Sequence, residues 1–206
     1  MELTASQHDA LTELINIGYG RAAGALSELT GYRITLEVPR VAMHGITELG
    51  PILDDMVKGE VASVNQVFSG PIAGNALLLL DERSALFLSQ LLTDESSTVG
   101  KFDASAREVI TEVGNILLNA CLGVFGNLLQ VQVSFAVPRL QIETVPSLLQ
   151  SMTLDIEEKL RYALVVHTRF QLRASNITGY LAIILGITSL DRLLQELEKW
   201  EHRQTQ

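Results

Sequence analysis

Two stretches decide the fold: DALTELINIGYGRAAGALSELTGYRITLEVPRV at residues 9–41 and EVITEVGNILLNACLGVFGNLLQVQVSFAVPRL at residues 108–140. They align without a gap at a constant offset of 99, so that Thr12, Glu13, Asn16, Ile17, Gly24, Leu29, Val38, Pro39 and Arg40 recur as Thr111, Glu112, Asn115, Ile116, Gly123, Leu128, Val137, Pro138 and Arg139. A second match follows: GPIAGNALLLLDERSALFLSQLL (70–92) resembles SNITGYLAIILGITSLDRLLQEL (175–197). The chain therefore reads as one domain over residues 1–206, built from two copies (about 5–92 and 104–203) around a polar junction at 93–103.

Periodicity gives each copy its elements. Ile34, Leu36 and Val38 alternate with Thr35 and Glu37, as do Val131, Val133 and Phe135 with Gln132 and Ser134, which is the pattern of half-buried strands. Val61–Phe68 and Ala76–Leu80 flank a Gly-Pro turn, and Leu164–Leu172 and Tyr180–Leu185 flank Asn176–Gly179, so each copy holds a hairpin. Leu190, Leu193, Leu194 and Leu197 form one stripe of a closing helix. The expectation is an α+β fold: a pseudo-two-fold single domain from two α-β-β-β-α repeats, with long helices packed on a mostly antiparallel sheet.

Composition excludes several function classes. The 206 residues are 47% apolar and 19% charged, ordinary for a globular protein, and 15 basic against 24 acidic side chains give a net charge of −9. That balance argues against a main task of binding nucleic acid or an anionic membrane. A lone cysteine, Cys121, cannot form an internal disulfide, which points to a reducing, cytoplasmic setting. His8, His44, His167 and His202 are scattered without metal-ligand spacing, so no metal site is expected from them. The first residues, MELTASQHDALTEL, lack the basic start and apolar core of a signal peptide. The apolar run 116–137 is interrupted by Asn119, Asn127, Gln130 and Gln132 and reads as a buried helix entering a strand rather than a membrane span.

The first helix of each copy carries the chemistry. On a helical wheel Leu11, Leu14, Ile15, Gly18, Ala22, Ala25, Leu26 and Leu29 gather on one side, and Asp9, Glu13, Asn16, Gly20, Gly24 and Ser27 on the other. The second copy repeats this, with Ile110, Val113, Leu117, Cys121, Val124, Phe125 and Leu128 inward. Glu108, Glu112, Asn115, Asn119, Gly123 and Gly126 then point outward. Glu and Asn three residues apart are neighbours on a helix surface. A single such pair has almost no specificity, and its bland reading is a solvated face. Its recurrence is specific, because in both copies 22 residues separate the Asn from a proline (Pro39, Pro138). The prolines themselves read as strand-end residues, and the outer glycines read either as room for a partner or as a contact between the two long helices.

At these residues the sequence resembles the CheC/CheX/FliY family of chemotaxis phosphatases. The family motif is Asp or Ser, three residues, Glu, two residues, Asn, and a proline about 22 residues on. The first copy matches at Asp9, Glu13, Asn16 and Pro39; the second matches at Glu112, Asn115 and Pro138 and departs at Glu108. Two motifs point to CheC-like members. The resemblance implies hydrolysis of the aspartyl phosphate on a CheY-like response-regulator receiver domain. Asn16 and Asn115 would orient water, Glu13 and Glu112 would dock or position, and Asp9, Glu108, Pro39 and Pro138 would support the motif. It implies no cofactor on this chain, the Mg²⁺ being held by the receiver domain. A rival reading is a non-catalytic adaptor that binds a CheD-like deamidase or a receiver domain. A third takes Asp9, Glu13, Glu108 and Glu112 as a carboxylate metal site between paired helices.

Overall fold

The computed structural model describes residues 3–37, 40–57, 59–93, 102–154, 160–172 and 175–204. Each copy runs helix, two short strands, helix, hairpin, helix. The first copy is α1 (Ala5–Thr30), β1 (Ile34–Leu36), β2 (Arg40–Gly45), α2 (Ile46–Met56), β3 (Glu60–Ser69), β4 (Gly74–Asp81) and α3 (Glu82–Thr93). The second is α4 (Ala104–Leu129), β5 (Ser134–Phe135), β6 (Arg139–Thr144), α5 (Val145–Leu154), β7 (Leu160–Leu172), β8 (Ser175–Gly186) and α6 (Ile187–Gln204). The α+β class and the antiparallel sheet match the sequence reading. Its α-β-β-β-α repeat is corrected: between the first strand and the hairpin each copy holds a further strand and a middle helix. Asn176–Gly179 is also not a turn but part of β8, and the strand expected at 131–135 shortens to Ser134–Phe135.

The helix ends show how deeply the duplication runs. Thr4 caps α1, its hydroxyl accepting from the Gln7 amide while the Gln7 side chain accepts from Thr4 N–H. Asp103, 99 residues on, caps α4 by accepting from the Ala106 amide at 2.9 Å. Both helices close on a left-handed residue at matched positions, Gly31 (φ 70°) and Gln130 (φ 58°).

The sheet order is β1-β7-β8-β4-β3-β5, with β2 also on β7 and β6 on β3, every pairing antiparallel. The first copy's short strands thus pair with the second copy's hairpin, and the reverse, so the copies interlock. At the centre Leu77 of β4 faces Ala182 of β8, its own counterpart at the hairpin offset of 105. The pseudo-two-fold axis passes through that pair. A two-fold axis perpendicular to a sheet reverses every direction in the plane, so α1 and α4, lying on the sheet, run antiparallel.

Both faces of the sheet are covered. One core packs α1, α3, α4 and α6 on Val64, Phe68, Leu78, Leu80, Val166, Leu181 and Ile183. The smaller core sets Leu49 and Leu53 of α2 and Leu148 of α5 against Leu77, Leu79, Val165 and Ile184. This explains the unbroken apolar run Leu77–Leu80, since a strand buried on both sides needs no polar alternation. The stripe Leu190, Leu193, Leu194 and Leu197 is buried, as expected. α4 is the one helix among the described residues long and apolar enough to cross a membrane, over Ala104–Asn127. Its apolar side, Ile110, Val113, Leu117, Cys121, Val124 and Phe125, is buried in the larger core.

Two inward assignments on α1 change. Ala25 is exposed and Leu29 is 60% exposed, while Ala10 and Tyr19 are buried. A wheel projects the whole helix onto one circle and misses where the partner surface stops. Ser27 turns from the outer face toward β1, where its hydroxyl accepts from the Ile34 amide at 3.0 Å.

Candidate functional site

The outer sides of α1 and α4 hold the duplicated motif. Asp9, Glu13 and Asn16 are exposed on α1; Glu108 and Glu112 are exposed and Asn115 is half-buried on α4. Helical spacing sets this arrangement, because 4 + 3 residues bring all three positions of each copy onto one stripe. Pro39 lies outside the described residues. Pro138 is half-buried and joins Arg107, Glu108, Glu112, Arg139 and Gln141 in lining an open groove of about 750 Å³ between α4 and β6. The structure thus brings Glu108, Glu112 and Pro138 together, with Asn115 one turn further along α4 and touching Glu112.

The surroundings of the two asparagines differ. Asn16 makes no hydrogen bond to any described residue. Asn115 accepts from Asn119 Nδ2 at 2.7 Å and directs its own Nδ2 toward Glu112 Oε2 at 3.5 Å. Asn119 in turn accepts from Gln66 Nε2 at 3.0 Å, and the same Gln66 nitrogen donates to the Ala136 carbonyl at 3.1 Å. Gln66 sits on β3 and is 1% exposed. One buried amide therefore ties the α4 stripe to the loop that runs into Pro138. Helical periodicity places Asn119 on the outer face and assigns it no role, and nothing in the sequence singles out Gln66. A second amide four residues after Asn115 was a legible signal; Gln66 was not, since only the sheet brings it beneath α4.

Neighbouring contacts anchor the start of each stripe. His8 donates from Nε2 to the Val41 carbonyl at 3.0 Å, holding α1 to β2, and its Nδ1 lies 3.7 Å from Asp9 Oδ1. Thr12 and Thr111, one turn on, both bond back to the carbonyl four residues earlier. Such bonds satisfy the hydroxyls locally and leave the Glu and Asn side chains as the outward polar groups.

The outer glycines settle one alternative. A Cβ built on Gly20, Gly24 or Gly123 would meet nothing within 4 Å, so none of these three is a contact between the long helices. The close approach is at Gly18 instead, where a Cβ would lie 2.9 Å from the Cys121 Cα. Cys121 itself is fully buried and burial pushes its thiol far up, as befits a core residue. The four-carboxylate reading loses its geometry: among the described residues no three His, Cys, Asp or Glu side chains converge on a possible metal position.

Comparison with known proteins agrees with the family resemblance and the fold. The CheC-like family model matches residues 7–43, the span from α1 through the first motif into β2. The CheY-P phosphatase CheC of Bacillus subtilis (strain 168) is 22% identical over 196 residues, covering 93% of each chain. Thermotoga maritima FliY superposes with a TM-score of 0.78 at 20% identity, over 97% of this chain and all (100%) of that one. A chain of the Helicobacter pylori FliM–SpeE complex superposes with a TM-score of 0.65 at 12% identity, over 97% and 98%. The family model falls on the first motif, the B. subtilis relative spans both copies, and the solved structures share the fold. Over residues 7–43 the chain matches the CheC-like family, and over nearly its full length it is similar to a CheC protein.

Proposed function

We propose that this chain is a phosphatase that hydrolyses the aspartyl phosphate of a CheY-like receiver domain in chemotaxis or two-component signalling, acting in the cytoplasm. One observation carries the reading: the same Glu/Asn pair stands outward on two symmetry-related helices of an otherwise diverged duplication. The likeness to a CheY-P phosphatase across both copies supports it.

The residue types suit the reaction. An acyl phosphate is already reactive, so catalysis reduces largely to placing water in line with the phosphorus. An asparagine carbonyl accepts a hydrogen bond from water and brings no negative charge near the phosphoryl oxygens. It cannot act as a general base, because an amide takes up no proton at neutral pH. Asn16 and Asn115 therefore orient water. Glu13 and Glu112 dock on a cationic side chain of the receiver, since a carboxylate aimed at the phosphoryl group would repel it. The metal in this scheme is the receiver's own Mg²⁺, which neutralises phosphoryl charge from the partner's side. The open space above Gly20, Gly24 and Gly123 leaves room for the receiver to approach.

The test is loss of phosphate from a phosphorylated receiver domain with wild type, Asn16→Ala, Asn115→Ala and the double variant. Each single variant is expected to retain the other site's activity. The double variant should lose about 10²-fold or more, the scale of removing an oriented polar group from a transition state. Unchanged dephosphorylation by the double variant would sink the reading.

The second reading is an adaptor that binds a receiver domain or a CheD-like deamidase without catalysis. It is favoured by the FliM–SpeE complex, in which a chain of the same fold is part of an assembly. Binding of the receiver with no acceleration of phosphate loss would select it.

A further inference from the structure

We infer that Asn119, backed by Gln66, is a positioning residue for Asn115, and that the α4 site is thereby the preorganised member of an unequal pair. This rests on the phosphatase reading and says which of the two sites is built for it.

The chain of hydrogen bonds starts from a group that cannot turn over. An asparagine or glutamine amide can flip its oxygen and nitrogen, so its direction must come from its neighbours. The Ala136 carbonyl can only accept, which fixes the Gln66 Nε2 toward it. The other N–H of Gln66 then faces Asn119 Oδ1. Asn119 must present its Nδ2 to Asn115, and Asn115 must present its Oδ1 to Asn119 and its Nδ2 to Glu112. A backbone carbonyl thus sets the direction of three successive amides. Asn115 Oδ1 keeps one lone pair, and that acceptor is now held in a fixed direction for the attacking water.

The α1 site lacks both intermediate amides of this chain. The counterpart of Asn119 is Gly20, which has no side chain. Gln66 pairs with Ala76, whose counterpart Leu181 pairs with Val166, so an apolar residue stands where Gln66 would be. Asn16 is exposed and must be oriented when the partner binds. Orientation provided in advance lowers the barrier, whereas orientation at binding does not.

A structural role alone would give a different result. Two amides four apart on a helix stabilise it slightly whatever Asn115 does. Asn119→Asp separates the two: it keeps the size and still accepts from Gln66, but it cannot donate to Asn115. In an Asn16→Ala background, where only the α4 site is read, Asn119→Asp should lower kcat on a phosphorylated receiver about tenfold, the scale of one hydrogen bond. KM and the thermal midpoint should stay at the parent values. Asn119→Gly, which installs the first copy's residue, is the second variant and should lose a similar factor. A kcat equal to the parent's in both variants overturns the inference, as does a loss in Asn119→Asp carried by KM or by a lowered midpoint. So does an Asn16→Ala protein with no activity left. Those failures leave the phosphatase reading intact if Asn115→Ala or Asn16→Ala lowers the rate. A wild-type chain that does not accelerate phosphate loss overturns both.

Discussion

At the scale of single residues, the duplication works as an internal control. Gly31 and Gln130 occupy the same left-handed position at the ends of the two long helices, yet only the first is glycine. A side chain in that region crowds the following carbonyl, so Gln130→Gly should stabilise the protein by about 1 kcal/mol, raising the thermal midpoint by roughly 2–4 °C. Calorimetry reads this directly; a fall in the midpoint would mean that the Gln130 side chain contributes something the strain conceals. The same comparison exposes the unequal motif helices. Glu13 and Asn16 were retained as Glu112 and Asn115, while Gly20 became Asn119 in the other copy. Conservation of the pair within the chain marks the stripe, and divergence one turn away marks how each copy holds it.

At the scale of elements, the contact between α1 and α4 depends on matched sizes. Gly18 meets the backbone of Cys121, and the counterpart of Gly18 is Leu117, whose side chain is fully buried. One copy supplies the small residue and the other the large one. Gly18→Leu would copy the second repeat into the first, but its Cβ would lie 2.9 Å from the Cys121 Cα and 3.3 Å from the Ala120 carbonyl oxygen. Main-chain atoms cannot give way as a flexible side chain does, so the helices must separate. The expected cost is about 2–3 kcal/mol, seen as a lower midpoint in urea with little change in slope. Full stability in that variant would show that the helix pair slides without loss. The α1 and α4 stripes of Glu and Asn depend on this packing, because it fixes which faces turn outward. The apolar side of α4 was read correctly along its length except at Leu128, whose side chain lies outside the described set. On α1 the reading failed at Ala25, Leu29 and Ser27, all in the last turns, where end effects and the β1 strand outweigh periodicity.

At the scale of the whole molecule, the copies are interlocked and not merely adjacent. β1 and β2 find their partner in β7, and β5 and β6 find theirs in β3, so neither copy holds all its own strand pairings. A strand without its neighbour leaves backbone donors and acceptors unpaired and one sheet edge open. Residues 1–93 and 102–206 expressed separately should therefore be largely unfolded, and mixing them should restore native circular dichroism and a 1:1 complex. A monomeric first half with native-like spectra would contradict the interlocked account. The same topology places the two motif helices side by side on one face of the sheet, with α2 and α5 on the other.

The duplication, the α+β class, the apolar side of the long helices and the recurrence of Glu and Asn are all written in the order of the residues. All of these are local: they follow from period, spacing and self-comparison within a few turns. The exchange of short strands between copies emerges in the folded chain alone, because pairing partners about 100 residues apart leave no periodic trace in either strand. Folding also makes Gly18, and not the outer glycines, the point where the helices meet. Finally, it brings Gln66 of β3 beneath Asn119 of α4. A glutamine in a strand that also holds Ser63 and Asn65 carries no signal of its own, and its meaning comes from the carbonyl and the amide that the fold sets within 3.1 Å of it.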